Sequence, residues 1–304
     1  MSERYPRIRL YQQDEAGPYL LIRECIGITF YMRHTHQDIA RAVLHALEVY
    51  RRAVGPQLLG WYVDDEGDWQ ELDGSGQTFI QHQVLHHVGG RVILAETPEA
   101  VTGYHFTYEG QYFDHPLHPA GPETSSPVSF YLPTEYLEEH GPGRVRALAL
   151  ELATGLPFCS GHAGLSFLFP EALLGMTEAL RDEAFRYPGL DIPSSTKAET
   201  MGTRVKGASW LTFLGQPVLG ALGGAASVRS RLHSPDTTVQ ELAGERAVIT
   251  LGEWPQAGDT KQGRTLPAYR ELARVLEPWL HHGRTRWRGF SDEDMRRWER
   301  RFLD

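Results

Sequence analysis

Cysteine is scarce in this chain. Cys25 and Cys159 are the two present among 304 residues. That is too few for a disulfide framework and fits a reducing compartment. Cys25 lies in an apolar run and reads as a small buried hydrophobe. Long apolar runs are missing too. No stretch approaches the roughly 18 consecutive apolar residues of a membrane span, and the opening residues, Met1 to Arg7, lack the apolar segment of a secretory signal. These absences lead to the expectation of a cytoplasmic protein with no membrane contact. Lysine is rare: of 30 basic side chains only Lys197, Lys206 and Lys261 are lysine. That bias carries no functional argument.

Enzyme signatures are largely absent. There is no G-x-G-x-x-G after a strand, no G-x-x-x-x-G-K-[ST], no G-x-S-x-G and no H-E-x-x-H. One fragment remains, His34-Thr35-His36-Gln37-Asp38, at the junction of a predicted strand and helix. Two imidazoles and a carboxylate on one turn suit a zinc site in a metallo-hydrolase. The H-x-H-x-D-H pattern would need a further histidine where Ile39 stands. The competing reading has Asp38 capping the helix, with His34 and His36 at its start. His82, His86 and His87 form a second cluster without a Cys or carboxylate beside them. Cys159 and His162 share a glycine-rich loop, but a reactive thiol takes its base from tertiary structure, and a tight turn entering a buried strand is the better reading of the loop. No cofactor and no metal are expected.

The formal charge is −9. A surface of this sign repels nucleic acid and suits a basic protein partner, although many soluble proteins are mildly acidic. The stretch from Trp61 to Asp73 concentrates that charge: six acidic residues, three aromatics and no basic residue. Asp64 to Gly67 is expected to form an exposed turn between two strands. Trp61 and Trp69 beside Asp64, Asp65, Glu66, Asp68 and Glu71 have the composition of a protein interface, with aromatic anchors and carboxylates that steer a cationic partner. The alternative is a solvated hairpin whose tryptophans face the core.

Along the chain, strand-like density covers Arg7–Gln12 and Tyr19–Met32. A helix follows, with Ile39, Val43, Leu44, Leu47 and Val54 on one face and Gly55-Pro56 at its end. Strands are predicted near Thr78–Leu85, Arg91–Leu94 and Tyr104–Phe113, then Val128–Leu132, Gly164–Phe169, Ser209–Leu214 and Ala247–Leu251. Helices are predicted over Gly143–Thr154 and Glu171–Phe185, from Thr265, and from the capping box at Ser291. The order is irregular, without βαβα alternation. The expected fold is α+β, a mostly antiparallel mixed sheet packed with helices. It forms either a single domain over 1–304 or two similar α/β lobes, 1–115 and 128–304, joined by a proline-rich connector.

The second half carries a set of ordered segments. Pro157-Phe158-Cys159-Ser160-Gly161-His162-Ala163-Gly164-Leu165 comes first, then Tyr187-Pro188-Gly189-Leu190-Asp191. Gly207-Ala208-Ser209-Trp210-Leu211-Thr212-Phe213-Leu214-Gly215 follows, with Leu222-Gly223-Gly224 and then Gly252-Glu253-Trp254-Pro255-Gln256-Ala257-Gly258-Asp259. In order and spacing, over roughly residues 128–280, this set resembles the type VI secretion immunity family, the TsiV-like proteins. The N-terminal half fits more loosely. The resemblance implies an antitoxin that binds and blocks a cognate effector, a nuclease of the VRR-Nuc or restriction-endonuclease-like classes. It brings no catalytic residues with it. Physically, Gly207, Gly215, Gly223 and Gly224 permit tight turns, Trp210 and Leu211 fill the core, and Asp191 and Asp259 brace loops. Toxin specificity is then expected on exposed loops such as Asp64–Asp73. The oligomeric state is not legible.

Overall fold

A computed structural model describes residues 5–14, 17–98, 101–114, 119–283 and 286–304. Eleven strands form one sheet: β1 (Arg9–Asp14), β2 (Gly17–Met32), β3 (Trp61–Val63), β4 (Trp69–Glu71), β5 (Gly90–Ala95), β6 (His105–Gly110), β7 (Ser126–Pro133), β8 (Ser160–Leu168), β9 (Leu211–Leu214), β10 (Thr237–Leu242) and β11 (Arg246–Leu251). Their spatial order is β10-β11-β9-β8-β2-β7-β6-β5-β3-β4, and β1 pairs with the outer half of β2. Every ladder is antiparallel. Parallel pairing among the described residues is confined to isolated bridges, Ser166 to Asp191 and Val205 to Leu280. The fold is α+β.

The long strand β2 explains the architecture. Its apolar density marks it for burial on both faces, and from Tyr31 back to Cys25 it pairs with β7 on one side and β8 on the other. A strand from before the predicted connector thus lies between two that follow or adjoin its end. Ile26, Ile28, Phe30 and Met32 alternate onto one face and are fully buried. They share a core with Ile39, Val43 and Leu47 of α1 (His36–Val54) and with Leu148 and Leu152 of α3 (Thr134–Gly155). Each such side chain contributes about 1.5–3 kcal/mol through burial.

Helix α1 ends where predicted, at Gly55, whose N–H bonds the Arg51 carbonyl and whose φ is 108°. Its N-cap is Thr35, not Asp38, which sits exposed in the first turn. The segment expected as a strand at Thr78–Leu85 is instead helix α2 (Gly74–His86), started by Asp73, which accepts the Gly76 N–H at 2.8 Å. Helix α3 begins at Thr134 and kinks at Gly141-Pro142, so the predicted Gly143–Thr154 helix is its second part. The helix expected from Glu171 starts later, as α4 (Met176–Arg186). Short helices α5 (Ser195–Glu199), α6 (Val218–Ala221) and α7 (Gly224–Ser230) follow, then α8 (Pro267–Leu276) and α9 (Asp292–Glu299). Ser291 and Asp294 form the predicted capping box. Of the predicted connector and the opening residues, 115–118 and 1–4 lie outside the described residues. Among the described residues no helix is long and apolar enough to cross a membrane.

Candidate functional site

Strands β3 and β4 form the acidic hairpin at one edge of the sheet, in the register Trp61 to Glu71, Tyr62 to Gln70 and Val63 to Trp69. Side chains alternate along a strand, and directly paired residues share a face. Tyr62 packs on Phe79 of α2, with ring centroids 5.1 Å apart. Trp61, Val63, Trp69 and Glu71 therefore stand on the opposite face. Both tryptophans are half-buried there rather than in the core under α2.

The turn has its own internal order. Asp64 Oδ1 accepts the backbone N–H groups of Glu66 and Asp68, and Oδ2 accepts Gln70 Nε2 at 2.8 Å. These bonds hold the Asp64 carboxyl below the usual carboxylate range. Gly67, with φ of 93°, supplies the left-handed residue the turn needs. Asp65 accepts a bond from Gln83 of α2, tying the hairpin to the helix. Glu66, Asp68 and Glu71 are exposed. The predicted interface residues thus fall into two groups: Asp64 and Asp65 build the hairpin, and the other carboxylates are presented by it.

The open face of the sheet continues from the hairpin as a groove. Its cavity holds about 460 Å³ and is lined in part by Val63, Gly67 and Trp69. Two cross-strand rows run beneath it, and the inner residues of each, from Gly27 to Ala95 and from His162 to Ile93, line it. One runs Gly164, Gly27, Tyr131, His105, Ala95, Trp61. The other is mostly polar and runs Thr212, His162, Thr29, Ser129, Thr107, Ile93. Thr29 Oγ1 and Ser129 Oγ lie 2.9 Å apart.

Charge is distributed unevenly along this floor. At the β8 end Asp191 pairs with Lys206 and stands 3.5 Å from His162 Nε2 and 3.9 Å from Arg301. Burial opposes the Asp191 charge, but these partners outweigh it and hold its carboxyl well below the usual range. Burial pushes the His162 imidazole down despite Asp191. At the other end Glu109 bonds Arg91 Nε at 3.0 Å. Burial raises the Glu109 carboxyl to about 7 against the pull of Arg91, helped by Glu199 and Glu171. Glu199 is raised likewise, first by burial.

Catalytic geometry does not assemble from the fragments considered in the sequence. His36 is fully buried, with Nδ1 2.7 Å from Tyr108 Oη. Its ring fills the space a Cβ would need at Gly90 and Gly110. His34 and Asp38 do not converge on it, and no group of three His, Cys, Asp or Glu among the described residues is placed to hold a metal ion. His82 stacks near His86 and His87, at 5.1 and 5.3 Å, on an exposed part of α2. Cys159 lines a separate depression with Gln216 and Arg246, whereas His162 lines the groove. His162 Nδ1 has no hydrogen-bond partner, so no hydroxyl is poised on it as a nucleophile.

The glycine-rich segments of the second half are structural. Trp210 is buried and its Nε1 donates to the Gly252 carbonyl at 3.1 Å, while Leu211 is buried in β9. Gly207 precedes that strand. Gly215 follows it so closely against Phe158 that a Cβ would strike the Phe158 carbonyl. Gly223, at positive φ, is the N-cap of α7, and Gly224, also at positive φ, opens that helix. Asp259 is fully buried, caps the turn Thr260–Gln262 and accepts bonds from Arg186 and Arg264.

The groove escaped the sequence reading because its residues come from seven strands and the loops beside them and meet only in the folded sheet. The alternation in Tyr104–Phe113 was the available signal: β6 buries Phe106 and Tyr108 and turns His105, Thr107 and Glu109 to the groove.

Comparison with curated proteins finds no match. Among solved structures, the Pseudomonas aeruginosa T6SS protein PA0821 superposes with a TM-score of 0.79 at 19% identity, covering 97% of this chain and 87% of that one. It shares the fold. A family model described as type VI immunity for VRR-NUC matches residues 42–302. That span holds the acidic hairpin, most of the groove and every glycine-rich segment of the second half, and the chain belongs to the TsiV family of type VI immunity proteins for VRR-NUC nuclease effectors.

Proposed function

We propose that this chain neutralises its cognate VRR-NUC effector in the cytoplasm as a stoichiometric inhibitor, without turnover. The continuous sheet supports treating residues 1–304 as one immunity-type domain. The observation that carries the mechanism is the hairpin: Glu66, Asp68 and Glu71 are exposed, no basic residue lies between Trp61 and Asp73, and two half-buried tryptophans stand beside them. A nuclease holds DNA phosphates in a basic groove. A surface of carboxylates with aromatic anchors occupies such a groove and keeps DNA out, either over the active site or at the DNA path. An interface of about 1,600 Å² suffices. The test is co-purification with the nuclease encoded beside this chain, followed by a DNA-cleavage assay. A stable complex without cleavage supports the reading. A nuclease that neither binds nor loses activity refutes it.

A further inference from the structure

The groove beside the hairpin has an occupant of definable chemistry, an inference that rests on the reading of the chain as a nuclease inhibitor. Its volume, about 460 Å³, falls in the range of ligand pockets, about 300–1,000 Å³. It is continuous with the proposed contact, since Gly67 and Trp69 belong to both. On its far rim, just past Ala172 of the lining, Leu173 and Leu174 are 46% and 82% exposed.

Acceptors are concentrated at two places in the lining of the groove, around His162 and around Glu109. His162 has a side chain 8% exposed, and its buried Nδ1 has no partner. Burial keeps the ring neutral at pH 7. Its Nε2 faces Asp191, so the ring's proton belongs there and Nδ1 is left as a bare acceptor. At the opposite end Glu109 accepts a bond from Arg91, and the charges of Glu171 and Glu199 also act on Glu109. Asp191, by contrast, is already neutralised by Lys206. An incoming group that brings positive charge and donates hydrogen bonds therefore suits the Glu109 end. Lysine and arginine donate and do not accept. Tyr131 and Trp69 also line the groove, and aromatic rings suit such a cation. His162 on β8 and Glu109 on β6 are three strand spacings apart, about 14 Å. One side chain does not span that distance, but a short segment does.

We propose that the groove receives a projecting, lysine- or arginine-bearing segment of the nuclease, with a cationic side chain seated against Glu109 and the rest of the segment laid along the groove toward His162. The hairpin and the groove then grip one partner at two neighbouring places.

The experiment uses the full chain and the purified nuclease. Binding is measured by calorimetry for the wild type, Glu109→Lys, Thr107→Trp and Glu66→Lys/Asp68→Lys, with melting temperatures as a control for folding. Thr107→Trp fills the groove from its floor without changing charge. The expected result is a complex weakened about 10- to 100-fold by Glu109→Lys and similarly by Thr107→Trp, in proteins that still melt cooperatively. If the wild type binds and the hairpin variant weakens binding while both groove variants bind normally, the groove inference is wrong and the inhibitor reading stands. Thermal stabilisation of the wild type by spermidine, with normal nuclease binding by both groove variants, assigns the groove to a small cation and also overturns it. A wild type that does not bind the nuclease removes both readings together.

Discussion

Asp64 folds back on Asp68: its Oδ1 accepts the Asp68 backbone N–H at 2.9 Å. With the further bonds from Glu66 and Gln70, this makes Asp64 the organiser of the turn, while Asp68 itself points a free edge of the turn at solvent. The acidic residues of the hairpin are therefore not equivalent, and mutagenesis should separate them.

Replacing Glu66, Asp68 and Glu71 together by lysine is expected to weaken nuclease binding about 100-fold or more through lost steering and like-charge contact, with the melting temperature nearly unchanged. Asp64→Ala is expected to act differently. It loosens the turn, so amide exchange at Asp68 and Gln70 accelerates, and affinity falls through disorder rather than lost charge. Hydrogen exchange paired with calorimetry checks both. Equal protection in Asp64→Ala and wild type would show that the carboxylate does not hold the turn.

Glu109 gives the protein a specific pH signature. Its carboxyl titrates near 7 instead of the ordinary 4.5, first because of burial. Folding thus favours its protonated form. The contribution is full below about 4.5 and is lost as pH rises through about 7. Glu109→Gln removes that loss, so the variant's melting temperature should gain on the wild type's between pH 5 and pH 8. Parallel stability curves would contradict the buried placement of Glu109.

Asp191 behaves with the opposite sign. Its depressed pKa, held down by Lys206, His162 and Arg301 against burial, contributes stability above the ordinary carboxylate range that disappears as pH falls through and below it. Asp191→Asn leaves the Lys206 and Arg301 cations without their counter-charge at sites 17% and 12% exposed. The expected cost is about 3–5 kcal/mol, read by urea denaturation at pH 7. A loss under about 1 kcal/mol would mean that the cations find other partners.

Much of the frame was legible in the residues. β2 announced itself through a long run of Leu, Ile, Tyr and Phe, α1 through its 3.6-residue stripe, and α9 through Ser291 and Asp294. Helix α2 was misread because Thr78, Phe79, Ile80 and Val84 favour strands and three glycines or serines open it. The informative residue was Asp73, whose cap on Gly76 starts the helix. β10, Thr237–Leu242, was missed because only Val239 of the strand is buried. His36 looked like a ligand in the sequence. Its true surroundings, Tyr108, Gly90 and Gly110, lie more than fifty residues away and are brought to it by the sheet. The hairpin was visible because its chemistry is contiguous. The groove was invisible because Thr29, Thr107, Ser129 and His162 become neighbours only once four strands are in register.

Stoichiometric inhibition is read most directly from a titration of DNA cleavage. A fixed amount of the cognate nuclease, well above the dissociation constant, is mixed with increasing amounts of this protein and cleavage is followed. A stoichiometric inhibitor gives a linear fall in activity to an end-point at a fixed ratio of the two proteins, independent of incubation time, with the nuclease recovered intact after dissociation. Inactivation by a small fraction of that amount, growing with time, would instead reveal turnover and contradict the account, as would undiminished cleavage at excess.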